Sequence, residues 1–215
     1  MNAEIITVID IETTGLYPTT DHITEIAAIR AEVGPGWIRE IGRFQTFVAL
    51  PTVNGEAVEI PPEITELTGI SAEDLRGAPH IDCALSTLWY FTRMSCVVAH
   101  NAPFDLAFIA EKHRQLAGFG ALPFACTRAM SRLVDPDESA RLADVCARYG
   151  VELNGHHRAM NDVEATLQLY AILREKAKSA GTDYRNVVVD SAERPLTYTP
   201  PGARVITIDK TKGVA

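Results

Sequence analysis

Asp10 and Glu12 stand two residues apart at the end of an apolar, β-branched run, Ile5-Ile-Thr-Val-Ile-Asp-Ile-Glu-Thr-Thr-Gly-Leu16. A short run of this kind before a glycine turn predicts a buried strand. Alternate residues of a strand share a face, so both carboxylates point the same way from the tip of a rigid element. Two such anions repel, and burying them uncompensated costs about several kcal/mol. No Lys or Arg occurs between Ile5 and Ile29 to compensate them. The pair therefore predicts hard divalent cations with oxygen ligands.

Two further acids occupy comparable positions. Asp105 follows the apolar run Cys96–Ala99 and falls in the first turn of a helix that Pro103 opens. Asp162 begins a last helix after the loop Asn154-Gly-His-His-Arg158. Each acid lies where an element meets a loop, as catalytic groups on a scaffold do. If the two strands are neighbours in one sheet, all four carboxylates can meet. They would then form the ligand set of two Mg²⁺ or Mn²⁺ ions, with waters and a substrate phosphate completing the shells. Two ions roughly 3.5–4 Å apart clamp the attacking and leaving oxygens of an in-line phosphoryl displacement. The base for the attacking water is His157, five residues before Asp162, or the adjacent His156; imidazole suits proton transfer near neutral pH.

The elements that must carry these groups follow from periodicity. After the first strand and a loop over Tyr17–Asp21, His22–Glu32 alternates, with Ile23, Glu25, Ala27 and Ile29 in one phase. Trp37–Leu50 is also extended, and Gly34-Pro35-Gly36 turns between them, so three neighbouring antiparallel strands are expected. Pro51–Pro62 reads as loop and Pro62–Leu67 as a short helix stopped by Gly69. Ser71 is placed to cap another helix, and Pro79–Phe91 is a core-packing helix with Ile81, Leu85 and Leu88 at helical spacing. The helix after Pro103 runs to about Leu116, with His113 solvated; Cys126–Val134 is read as a helix, and Asp135–Glu138 as a loop. Ser139–Tyr149 is a helix ended by Gly150, with Asp144 on its solvated side; the last helix runs from Val163 to about Ala180 and Gly181 closes it. Residues 1–180 form the main domain. Residues 181–215 differ in character, with Arg194-Pro195, Pro200-Pro201-Gly202 and a strand-like Arg204–Asp209, and read as a linker with a docking strand or a tail wrapped on the domain.

Composition sets limits on function. The chain has 215 residues, and a 47% hydrophobic content marks it as globular. No apolar run approaches the ~20 residues of a membrane span, and the start of the chain lacks a secretory pattern, so a cytoplasmic protein is expected. Four cysteines without C-x-x-C spacing predict packed thiols rather than a disulfide or zinc site. A net charge of −8 excludes a large non-specific duplex-binding face. It leaves room for a local cleft in which cations receive a short strand.

Taken together, Asp10-Ile-Glu12-Thr-Thr-Gly-Leu16, His100-Asn101-Ala-Pro-Phe-Asp105 and His157-Arg158-Ala-Met-Asn-Asp162 resemble the three exonuclease motifs of the DEDD superfamily. The match is to the DEDDh branch, which includes the proofreading (epsilon) subunit of bacterial DNA polymerase III. The resemblance covers about residues 5–175 and takes in Leu67-Thr-Gly-Ile70 and Cys126-Thr127. It implies an α/β fold, a ribonuclease-H-like mixed sheet flanked by helices. It also implies divalent-metal 3′→5′ exonuclease activity on single-stranded or frayed DNA ends, in proofreading or repair, releasing nucleoside monophosphates. Asp10, Glu12, Asp105 and Asp162 become the metal ligands, and His157 rather than His156 the general base. Thr13 and Thr14 are implied to bind the terminal nucleotide, Leu16 and Ile70 to pack on its base or simply in the core, and Asn101 to lie near the scissile bond or to cap a helix. Asn161 stands where many relatives have an acid or a small residue, and the family does not account for residues 182–215. RNA or short oligonucleotides as substrate remain open, as does a non-catalytic module docking on a polymerase or sliding clamp through the tail.

Overall fold

The computed structural model describes residues 3–53, 55–112, 123–155, 157–192 and 194–208. Its centre is a five-stranded sheet in the order β3-β2-β1-β6-β7. Strand β1 (Glu4–Thr13) pairs antiparallel with β2 (Ile23–Gly34), which pairs antiparallel with β3 (Trp37–Phe47). On the other side of β1, β6 (Cys96–Ala99) and then β7 (Phe124–Cys126) add in parallel. The expected three-stranded antiparallel unit is present, and the two acid-bearing strands β1 and β6 are neighbours. The whole is a ribonuclease-H-like α/β fold.

Alternation along β1 sorts the core into two layers. Ile6 and Val8 face one side, against the long helix α6 (Ala159–Ser179) and α5 (Leu142–Tyr149). Ile9 and Ile11 face the other, against α2 (Ile81–Thr92) and α3 (Ala102–Lys112). Helix α4 (Thr127–Val134) follows β7 directly and packs against α6. Buried on both faces, β1 and β6 are continuously apolar, as central strands require.

Several segments depart from the periodicity reading. Within the expected loop at Pro51–Pro62, Thr52–Val53 (β4) and Glu56–Ala57 (β5) form a small hairpin. Helix α1 (Pro62–Thr68) ends as expected at Gly69, whose φ of 71° is left-handed. Ser71 does bond Asp74, with Ser71 Oγ donating to Oδ2 at 2.6 Å, but only turns follow, because Gly77 at φ 77° interrupts the chain before an apolar stripe can form. Cys126 closes β7 rather than opening a helix. The described cysteines are all free, and Cys83 is exposed rather than packed. His113 and the helix end near Leu116 lie outside the described residues. No helix among the described residues is long and apolar enough to cross a membrane.

The C-terminal segment lies on the domain. Asn186 N–H donates to the Phe124 carbonyl and Asn186 Oδ1 accepts from Phe124 N–H, both at 2.9 Å, which covers the β7 edge. Strand β8 (Val187–Ser191) follows, with Val187, Val188 and Val189 in the α2/α3 core layer, and β9 (Arg204–Ile208) pairs with it in parallel. Glu4 ties the segment to the start of β1, accepting from Arg174 Nε at 2.6 Å and from the Arg185 guanidinium.

Candidate active site

β6 pairs with β1 only from Ile6 to Val8, so residues 9–13 of β1 run past the carboxyl end of their parallel neighbour, where open α/β sheets present ligands. Asp10 and Glu12 continue the phase of Ile6 and Val8 and so emerge on the α6 side. Helix α6 packs against that side and supplies Asp162 from its first turn. As a result Asp10, Glu12 and Asp162 each offer a ligand atom within 4.8 Å of the others. Asp105 comes from α3 on the opposite layer. Its carboxylate is 3% exposed and lies near the backbone N–H groups of Ile11 and of Asp105 itself. It lines the same pocket without joining the three-carboxylate group. The expected meeting of four acids is thus a group of three with the fourth beside it, because the strand pair and α3 present carboxylates from different faces.

Protein charges alone leave this cluster uncompensated. Burial, followed by the charges of Asp105, Asp162, Glu12 and Glu25, holds Asp10 well above the usual carboxylate range. Burial and the charges of Asp162, Glu25 and Asp105 push Glu12 up to about 8, against a smaller lowering by Arg158. Burial raises Asp105 to about 7, although the backbone N–H groups beside it and the Arg194 charge pull it down. Convergent oxygen donors that hold protons so strongly fit a divalent cation, which neutralises them without a proton.

Glu25 was not singled out from the sequence. It sits directly opposite Glu12 in the β1–β2 register and is 1% exposed. Its carboxylate accepts from Gln45 Nε2 at 2.7 Å, from Ala159 N–H at 3.3 Å and from the Arg158 guanidinium at 3.4 Å. These bonds fasten the start of α6, with Asp162 one turn on, to the strand carrying Glu12. An acid in the inward phase of an apolar strand was the available signal.

His157 lines the pocket at a φ of 72°, a left-handed conformation that costs a non-glycine residue of order 1 kcal/mol and is met mostly at functional sites. Its N–H donates to Asp162 Oδ2 at 3.4 Å. Asn161 Nδ2 donates to the Gly155 carbonyl at 2.9 Å, which ties the His157 loop back onto α6. His156 lies outside the described residues.

The pocket encloses about 960 Å³. Thr13, Leu16 and Asn101 line it; Thr14 and Ile70 do not. The Thr13 hydroxyl donates to Gly15 O at 2.6 Å and the Thr14 hydroxyl accepts from His22 N–H at 3.0 Å, so both hydroxyls build the loop. Gly15 is required there, since a Cβ would meet the Asp21 carboxylate at 2.4 Å. Ile70 is turned inward after Gly69, where its N–H donates to Thr68 Oγ1 at 3.1 Å, and it is 1% exposed. Helix α1 instead presents Ile64 and Leu67; Leu67 is 51% exposed and Leu16 is 68% exposed. Arg128, Arg132, Arg141 and Arg194 also line the pocket, and His100 sits between Thr127 Oγ1 and the Ala140 carbonyl, each at 3.0 Å. Asp144, exposed as expected, also borders the pocket.

Residues 7–170 match the family described as Exonuclease. The DNA polymerase III PolC-type of Clostridium perfringens is 36% identical over 172 residues, covering 80% of this chain and 11% of that protein. The corresponding polymerase of Bacillus subtilis is 28% identical over 217 aligned positions, covering 98% and 14%. The chain thus spans only a small part of these relatives. Among solved structures, E. coli exonuclease I in complex with a dT13 oligonucleotide superposes with a TM-score of 0.69 at 19% identity, covering 83% of this chain and 42% of that one. Exonuclease X in complex with 5′ overhanging duplex DNA gives 0.59 at 20% identity, covering 83% and 95%. With the fold of these nucleases, and with its acid cluster inside the matched stretch, the chain belongs to the exonuclease family.

Proposed function

We propose that the protein hydrolyses terminal phosphodiesters of DNA from single-stranded or frayed 3′ ends, releasing nucleoside monophosphates. The convergence of Asp10, Glu12 and Asp162 within 4.8 Å, with Asp105 alongside, carries this reading. These four would hold two Mg²⁺ or Mn²⁺ ions, which supply charge neutralisation and Lewis acidity for an in-line displacement. His157 accepts the proton of the attacking water on its imidazole ring. Leu16 and Leu67, exposed at the pocket edge, grip unstacked terminal bases without reading sequence, and Thr13 and Asn101 border the sugar and scissile phosphate. The similarity to PolC-type polymerases favours DNA as substrate and a polymerase as partner, and supports a role in proofreading or repair.

The test is a time course on a 3′-mismatched primer-template, a single-stranded DNA and an RNA, each 5′-labelled, with Mg²⁺, Mn²⁺ or EDTA. A metal-dependent ladder shortening from the 3′ end, slowed at least ~10³-fold in Asp10→Ala, is expected. Preference for the RNA would reassign the substrate. No cleavage of any strand by folded protein would overturn the reading.

A further inference from the structure

We propose that Arg194, carried by the segment that follows the exonuclease fold, binds a backbone phosphate of the strand in the pocket. This rests on the nuclease reading above and adds the C-terminal segment to the substrate-binding surface.

The first observation is where Arg194 stands. It lines the same pocket as Asp10 and Asp105, yet is separated from Asp105 by almost ninety positions of sequence and lies outside the matched residues 7–170. The second is how firmly it is delivered. Arg128, 9% exposed in the first turn of α4, donates from Nη1 to the Val189 carbonyl and from Nη2 to Ser191 Oγ, both at 3.2 Å, and so clamps the end of β8. Arg194 N–H then donates to the Ser191 carbonyl at 3.0 Å, and Leu196 N–H to Asp190 Oδ1 at 2.9 Å, which closes the turn on both sides of Arg194. Pro195 fixes φ in between, and Leu196 and Tyr198 pack on the core beyond. These bonds hold the backbone near Arg194, so the entropy lost on taking up a ligand is confined to its own side chain.

The third observation is what the guanidinium is left to do. The Arg128 guanidinium is engaged with β8, and that of Arg132 donates to the Pro136 carbonyl at 3.0 Å. Arg194 is exposed and, among the described residues, enters no ion pair. A phosphodiester approaching four carboxylates needs a positive group to meet it, and the planar guanidinium matches phosphate in a two-pronged geometry. The competing role is a plain counter-charge for Asp105. The two differ kinetically: a phosphate ligand governs binding of the strand, whereas a counter-charge acts on the acid cluster and its cations.

The experiment compares wild type, Arg194→Ala and Arg194→Lys on a short 5′-fluorescein-labelled thymidylate strand. Binding is read by anisotropy in Ca²⁺, cleavage in Mg²⁺, each over a series of NaCl concentrations, with the melting temperature as a folding control. Arg194→Ala is expected to weaken binding and raise KM about 5–10-fold and to lower the salt slope by ~0.7, the value of one phosphate contact on a single strand. Its kcat and melting temperature stay near wild type, and Arg194→Lys recovers most of the binding. Unchanged binding and salt slope in Arg194→Ala would overturn the proposal. So would a loss confined to kcat with a higher Mg²⁺ requirement, which would mark the counter-charge. If wild type binds the strand without cleaving it, the nuclease reading fails while the binding comparison still decides Arg194; if wild type neither binds nor cleaves, both fall.

Discussion

The two walls of the pocket are built in opposite ways. On the acidic wall, short stretches of backbone hold the groups close to their anchoring elements: Asp10 and Glu12 on a central strand, Asp105 and Asp162 each in the first turn of a helix packed on it. On the basic wall, Arg128 and Arg132 come from α4, Arg141 from just before α5 and Arg194 from the C-terminal segment, which the Arg128 guanidinium holds by bonds to β8. The acidic groups are buried against each other at high electrostatic cost, while Arg141 and Arg194 are exposed. The difference suggests a division of labour in which the acidic wall sets the rate of the chemical step and the basic wall sets affinity for the strand. Variants can break that division or sharpen it.

The largest effect is expected at His157. His157→Ala should lower kcat about 10²–10⁴-fold at saturating Mg²⁺, with KM for the strand within about threefold. Stopped-flow cleavage at about pH 8, where the acids are ionised, measures both. A kcat near wild type in the variant would deny His157 the proton, and a change mainly in KM would move His157 to the affinity side of the comparison.

The acidic wall was legible in the sequence and the basic wall was not, for a physical reason. Carboxylates aimed at a shared cation need strand tips and helix starts, and those leave local marks: the apolar run before Asp10, Pro103 before Asp105, and the spacing of His157 from Asp162. Arg194 leaves none, because its place depends on β8 filling a gap beside α4, and β8 is only three buried valines among polar residues. β7 was missed for a similar reason: three residues of buried parallel strand are too short to show a period, and the last of them, Cys126, reads as the start of the helix that follows. Between the two readings of Ile70, base contact or core, spacing does not choose, because it cannot show that the left-handed turn at Gly69 points Ile70 inward while Leu67 faces the pocket. Glu25 was passed over as one more residue in a strand's inward phase, although an acid there must find partners.

Glu25 tests whether the acidic wall needs its support. Glu25→Gln keeps the shape but gives up the charge that faces Arg158 and one of the two oxygens that accept from Gln45 Nε2 and Ala159 N–H. The start of α6 should loosen, and kcat should fall about 10–100-fold, the usual cost of removing a group that orients a ligand, with little change in KM. An Arg158→Ala variant should fall by a similar amount, and the double variant by no more than either, because both break one connection. Additive losses would mean that Glu25 acts on the cluster by its own charge rather than by holding α6.

The smallest effect, in stability, asks whether the acidic wall is built for cations at all. Glu12 rises to about 8 and Asp105 to about 7 in the folded chain, so between the ordinary carboxylate range and those values the folded state binds more protons than the unfolded one. Stability of the metal-free protein therefore falls as pH rises through that window, from about pH 5 to 8. A divalent cation reverses the penalty only where the acids are ionised. At about 100 times its Kd a bound ion is worth about 2.7 kcal/mol, or roughly 5–10 °C in a chain of this size. Mg²⁺ or Mn²⁺ should thus raise the melting temperature clearly at about pH 8 and hardly at pH 5, and Glu12→Gln should flatten both the pH slope and the metal response. A melting temperature equally indifferent to metal at both pH values would leave the carboxylate cluster without its cation, and would remove the basis for assigning the chemical step to that wall.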